Sequence, residues 1–403
     1  MAQPAPDPAS DRDVFAAHVT ALFRAGGVTG GIEHDPDAEK LRVGARTFDL
    51  ARAFETYRSL PPHQRDDVLG KYVRLSLRTP VMPATWAEAK DHLLPMVWPR
   101  LRAVLTDLHR EPANPIPRHA LTEHLVVEVG FPIPDGTVSV DRGMIDRWGV
   151  SMDEVGAQAA QNLARRGARP WRTSPKFPGV FRSGWGDGYD VSRLLLPEVF
   201  ARIEPPLRGD PVMISSTPGT LLVAGADDAR GLVGLAQAGR ELFEKDRFIH
   251  FFRPLRLHDG TWTHWLPPAG HAAYAPLALL QAYNRQGEYT QQARALQALA
   301  VEKGLDTPAM PPVSVHPAGP TQDPVLVATW RQGRPTALPE VDAVVLVRGA
   351  KTLGAVTWAD LVRVLPGELR PIPGYPPRWL AHTFPEAWQL GALSIEPWDG
   401  PLP

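Results

Sequence analysis

Residues 248–266 read FIHFFRPLRLHDGTWTHWL. Two apolar, β-branched and aromatic runs flank the dipeptide Asp259-Gly260, a strong signal for a two-residue hairpin turn. With that pair as the loop, His258 faces Thr261 and Leu255 faces His264. A second hairpin lies just upstream, where VMIS and TLLVA flank the turn TPG. A helical stripe over about 229–244 separates the two. Hairpins alternating with separate helices predict an α+β fold of antiparallel hairpins packed with helices, not a regular βαβ repeat.

The same reading extends toward the N-terminus. Val14, Phe15, Val19, Leu22 and Phe23 predict a helix over about 12–25. The stretch IEHDPDAEKLRVGARTFDL predicts a hairpin turning at DPDAE. Helices are expected over 62–77 and 86–97, the second opened by the capping box Thr85/Glu88. From Leu121 the period changes to two, with Leu125, Val127, Val129 and Phe131 on one face, and TVSV returns after the turn IPDG. A helix over about 141–148 and a second one from the capping box Ser151/Glu154 to about 165 follow.

The C-terminal third reads differently. Residues 272–303 are expected to form a helical hairpin about Gly287, and 304–322 a Pro-rich linker. VLVATW and AVVLVR are strand-like, and Thr357 opens a short helix, giving a small β-rich C-terminal extension. The expected organisation is therefore a tail at 1–10, α+β regions at 11–118 and 119–268, a helical hairpin at 269–303, the linker at 304–322 and the β-rich region at 323–403.

Composition narrows the function. With 43 basic and 44 acidic side chains among 403 residues, the chain has no basic excess to neutralise nucleic acid or an anionic membrane. Cysteine is absent, which removes disulfides, thiolate metal sites and cysteine nucleophiles. No apolar run approaches the roughly 20 residues of a membrane-spanning helix. The start of the chain lacks a secretory signal pattern, and the expected location is cytoplasmic.

The chemically suggestive stretch is SGWGDGYDVSRLL, residues 183–195. Gly184, Gly186 and Gly188 allow close backbone approach to a ligand. Asp187 and Asp190 could orient water or a cation, Tyr189 could donate a hydrogen bond, and Arg193 could clamp a carboxylate or phosphate. Asp187, Gly188, Tyr189, Asp190 and Arg193 are thus the candidate ligand-binding residues. The structural alternative makes Asp187-Gly188 a turn, Asp190 the N-cap of a helix starting at Val191, and Arg193 an ion-pair partner.

Other constellations are weaker. His250, His258, His264 and His271 suggest a metal, but hairpin register puts His258 and His264 on opposite faces. His250 lies eight residues from His258, roughly 26 Å along a strand. Asp227-Asp228 falls at a helix start, where carboxylates favour the dipole. Trp148, Trp171, Trp185, Trp262 and Trp265 suit a core or a ligand groove. There is no G-x-S-x-G, HExxH or Walker motif. No catalytic residue, metal site or cofactor is expected, and the preferred partner is another protein.

Three blocks in order, SVDRGMIDRWGVSMDEVGAQAAQNL, GDGYDVSRLL and GDPVMISSTPGTLLVA, resemble those of the YtpQ-like family, a bacterial family of unknown function. DHLLPMVWPR is similar to that family's upstream block. The resemblance covers about residues 12–266, with the remainder an extension. It departs where the family's N-D-G-Y-D stretch begins, since Gly186 stands in place of asparagine. It implies that the Asp187–Asp190 turn matters, without implying a substrate, cofactor or catalytic residue. The leading expectation is a non-catalytic interaction protein. The alternatives are an enzyme acting on a phosphate- or carboxylate-bearing small molecule at the turn, and an immunity-type inhibitor.

Overall fold

A computed structural model describes residues 7–9, 11–44, 46–60, 62–77, 82–108, 110, 113–134, 136–167, 171–245, 251–316 and 323–403. The expected tail and the end of the expected linker lie largely outside these residues, as does His250. The chain divides into two compact units, one of residues 1–94, 130–140 and 144–159, the other of 95–129, 141–143 and 160–403.

In the first unit, helix Arg12–Ala25 is capped by Asp11, whose carboxylate accepts from the Asp13 and Val14 amides. The hairpin Ile32–Asp35/Lys40–Val43 forms and gains a third strand, Arg46–Asp49. Helices Leu50–Ser59 and Pro62–Leu77 complete it around Phe15, Phe23, Leu41, Phe48 and Phe54. The helix expected over 86–97 stops at Ala89, and Leu94–Pro99, which beyond Leu94 belongs to the second unit, is a strand instead. Pro95 has no amide to donate to a helix, and its ring clashes with the preceding turn. Helices Arg142–Trp148 and Met152–Arg165 form as expected, and the Ser151/Glu154 capping box is made.

The second unit is built on a six-stranded antiparallel sheet. Its order is Thr261–His264, Phe251–His258, Pro211–Thr217, Thr220–Gly225, Phe181–Arg182, Arg172–Thr173. The hairpin register is the one the dipeptide dictates, with His258 opposite Thr261 and Leu255 opposite His264. Asp259 and Gly260 both take positive φ, 47° and 75°. One apolar cluster holds Trp171, Trp185, Phe200, Met213, Val223, Leu255 and Trp262. Another packs Val212, Ile214, Leu222 and Phe252 against Leu232 and Leu235 of helix Ala229–Lys245 and against Leu277 and Leu280.

Leu277 and Leu280 belong to a single helix, Tyr274–Lys303. The expected helical hairpin is not formed, and Gly287 lies in the interior of this helix. A mid-helix glycine costs only about 1 kcal/mol relative to alanine. Buried side chains on both sides of it, from Leu277 to Gln292, outweigh that cost. The residues after the helix also hold more structure than a linker would, since Val313–His316 is an edge strand.

The C-terminal region is small and β-rich. Strands Val313–His316, Val325–Arg331, Ala343–Arg348 and Lys351–Thr357 form one sheet, whose central pair is parallel. Thr336–Pro339, Arg378–Ala381 and Leu369–Ile372 form another. Trp330, Leu338, Val344 and Leu361 share a core with Tyr289 of the long helix.

Candidate functional site

The Gly-Asp-Gly-Tyr-Asp turn is closed on itself. Gly186 and Gly188 take φ of 62° and 80°, which bring Asp187 back toward the following residues. The Asp187 carboxylate accepts from the Tyr189 amide at 3.0 Å and from both terminal nitrogens of Arg193 at 2.7 and 2.8 Å. Arg166 approaches the same carboxylate at 3.5 Å and lies over the Tyr189 ring. Arg193 is 1% exposed, and the Trp185 ring covers its guanidinium at 4.9 Å. Burial alone pushes the Asp187 carboxyl up, but the Arg193 and Tyr189 hydrogen bonds and the two guanidinium charges hold it below the ordinary carboxylate value.

Arg193 is therefore an ion-pair partner, as in the structural alternative, and a buried one. Asp190 departs from that alternative. Residues Val191–Leu195 form a short 3-10 helix, and Asp190 makes no side-chain cap bond to it. Its backbone is already helical, at φ −56° and ψ −45°, whereas a capping side chain needs an extended residue. The Asp190 side chain is fully buried, and both carboxylate oxygens lack a hydrogen-bond partner.

The remaining candidates from the sequence are dispersed. The indole nitrogens of Trp171, Trp185 and Trp262 donate to the carbonyls of Val199, Gly167 and Leu194, and all three rings lie in the core. Asp228 caps its helix, accepting from the Gly231 amide at 3.0 Å. His258 bonds Asp210 at 2.6 Å, His264 bonds Gln281 at 2.9 Å, and His271 accepts from the Ala273 amide. Among the described residues no group of three or more His, Asp or Glu is placed to hold a metal ion. Nor, among them, is any helix long and apolar enough to cross a membrane.

A second polar centre was not anticipated. His124, Arg253, Asn284, Glu288 and Tyr375 are all buried and converge within the second unit. Arg253 bonds His124 Nε2 through Nη1 at 2.8 Å, Asn284 Oδ1 through Nε at 3.4 Å, and the Glu288 carboxylate through Nη2. Tyr375 Oη lies 2.9 Å from His124 Nδ1 and 3.2 and 3.3 Å from the two Glu288 oxygens.

The guanidinium can only donate, and this fixes the proton positions. His124 Nε2 must accept, so the ring is neutral with its proton on Nδ1. That proton is donated to the Tyr375 oxygen, and the Tyr375 hydroxyl donates onward to Glu288. Burial, reinforced by the Arg253 charge, pushes the His124 pKa down to about 3, in agreement with the neutral ring. Burial pushes the Glu288 carboxyl up, against the pull of Arg253. The one signal in the sequence was Arg253 itself, a charge inside the apolar run FFRPL, which demands a buried partner.

Comparison of the chain with family models, with curated proteins and with solved structures finds no match. A functional reading therefore rests on the chain's own geometry.

Proposed function

We propose that this chain is a non-catalytic α+β binding protein whose partner is another protein. The observation that carries the reading is the closure of the Asp187–Arg193 turn. A phosphate- or carboxylate-bearing substrate would need a free cation there, and Arg193 already has both terminal nitrogens on Asp187. The near-zero net charge favours neither nucleic acid nor an anionic membrane. Exposed apolar side chains offer contact area instead: Trp388 is 67% exposed and Val301 84%.

The test uses the full chain with a photo-crosslinking residue placed beside Trp388, in its own cells. One stoichiometric protein partner is expected, lost in Trp388→Asp and kept in Asp187→Asn. Turnover of a phosphate ester or carboxylate that Asp187→Asn abolishes at unchanged Tm would replace this reading with the enzymatic one. That second reading draws on Asp190, a buried carboxylate without a protein partner.

A further inference from the structure

The buried centre around Tyr375 has one feature of a ligand pocket, several polar groups that converge on a single hydroxyl. We propose that it is a phenol-binding pocket that Tyr375 occupies in cis, so that a phenol supplied in trans, such as a partner's tyrosyl side chain, competes for it. This goes beyond the binding reading above and does not depend on the surface that carries Trp388.

Three observations carry the assignment. The first is the match between groups and guest. A phenol hydroxyl donates one hydrogen bond and accepts two. Around Tyr375 Oη stand two donors, His124 Nδ1 at 2.9 Å and Arg253 Nη2 at 3.4 Å, and one acceptor group, the Glu288 carboxylate. The ring is recognised separately, by the Arg100 guanidinium 5.1 Å from its centroid.

The second is that the host is assembled without the guest. Arg253 ties His124, Asn284 and Glu288 together through bonds that do not involve Tyr375. These groups come from a strand of the central sheet, the residue preceding strand Leu125–Ile133, and the long helix.

The third is how the guest arrives. Tyr375 is the middle residue of the loop 373–377, which joins the paired strands Leu369–Ile372 and Arg378–Ala381. Gln292 and Tyr289 hold the carbonyls of Pro376 and Pro377 at 2.8 and 3.1 Å, keeping the loop seated at rest. Beside the pocket, Asn284 Nδ2 is a buried donor without a partner, which a ligand carrying a further acceptor would satisfy.

The experiment removes the guest and offers it back. Tyr375→Gly in the full chain lowers Tm, and p-cresol is expected to recover more than half of the loss in a saturable way. Toluene, which has the ring without the hydroxyl, is expected to recover little. Equal recovery by toluene, or none by p-cresol, overturns the proposal. Should Tyr375→Gly fail to fold alone, refolding yield with each compound is the readout, judged by the same criterion. In the wild-type chain carrying 3-fluorotyrosine at position 375, p-cresol is expected to raise a second, solvent-exposed fluorine NMR signal. A single unchanged signal up to the solubility limit of p-cresol overturns the exchange and leaves Tyr375 a fixed structural side chain.

Discussion

Two buried arginines stand at the centre of two unlike polar sites. Arg193 meets its carboxylate six positions away, within one turn of chain, and Asp187 keeps a quarter of its side chain in solvent. Arg253 meets groups from 31 to 129 positions away, and its partner Glu288 is only 5% exposed at the side chain. The first site is local and partly hydrated, so removing one member leaves water able to help. The second is dispersed and dry, so each member depends on all the others. Local pairing shapes a turn, whereas the dispersed set ties together elements made far apart in the chain.

The sharpest way to break this contrast is Glu288→Ala. It leaves Arg253 charged, buried and unpaired, and a loss of about 3–5 kcal/mol is expected in denaturant unfolding. A loss comparable to that of a surface pair would mean that the dispersed set is not an energetic unit. Asp187→Asn comes next, at about 1–3 kcal/mol, because the amide still offers an oxygen to Arg193 and the site reaches water. If it costs more than Glu288→Ala, the distinction between wet and dry sites fails.

The pH dependence separates the two sites further. The His124 ring titrates at 6.5 when unfolded and is pushed to about 3 when folded, so the unfolded chain takes up its proton first as pH falls. Stability from the neutral ring is complete above pH 6.5 and is lost as pH drops toward 3. Glu288, pushed up by burial, gives the opposite slope as pH rises above 4.5. The effect is therefore read as the Tm advantage of wild type over His124→Asn, which is expected to narrow as pH falls from 6.5 to 4.5. Asp187, held below its ordinary 3.8, acts only in more acid solution. Asp187→Asn is thus expected to leave the slope above pH 4.5 unchanged.

The smallest effect concerns Asp190. Its carboxylate is buried with no hydrogen-bond partner, so Asp190→Asn is expected to be neutral or to stabilise by about 1 kcal/mol at neutral pH. A clear loss in thermal unfolding would mean that the charge is held by a bound group, which would favour the enzymatic reading of the turn.

What could be read from sequence divides along the same line. Asp259-Gly260 set the register of its hairpin, and Thr85/Glu88 and Ser151/Glu154 marked helix starts, because each acts through its immediate neighbours. Gly287 misled because a local cost of about 1 kcal/mol is small beside burial contributed by distant strands. Asp190 misled because capping depends on a backbone conformation that side-chain identity does not reveal. The turn at 183–195 was visible as a motif, yet its state was not, since Arg193 is equally suited to a ligand carboxylate or to Asp187. The set around Arg253 could not be assembled in advance, because Tyr375 and His124 are 251 positions apart.

The uninterrupted helix Tyr274–Lys303 has a consequence for how the chain is made. Leu277 and Leu280 on it complete the core over Val212, Ile214 and Phe252, strand residues synthesised earlier. A ribosome adding about 5–20 residues per second leaves those strands waiting seconds for their cover. Translation, and not only the finished packing, thus sets a window in which the central sheet shows an unfinished face to whatever escorts nascent chains.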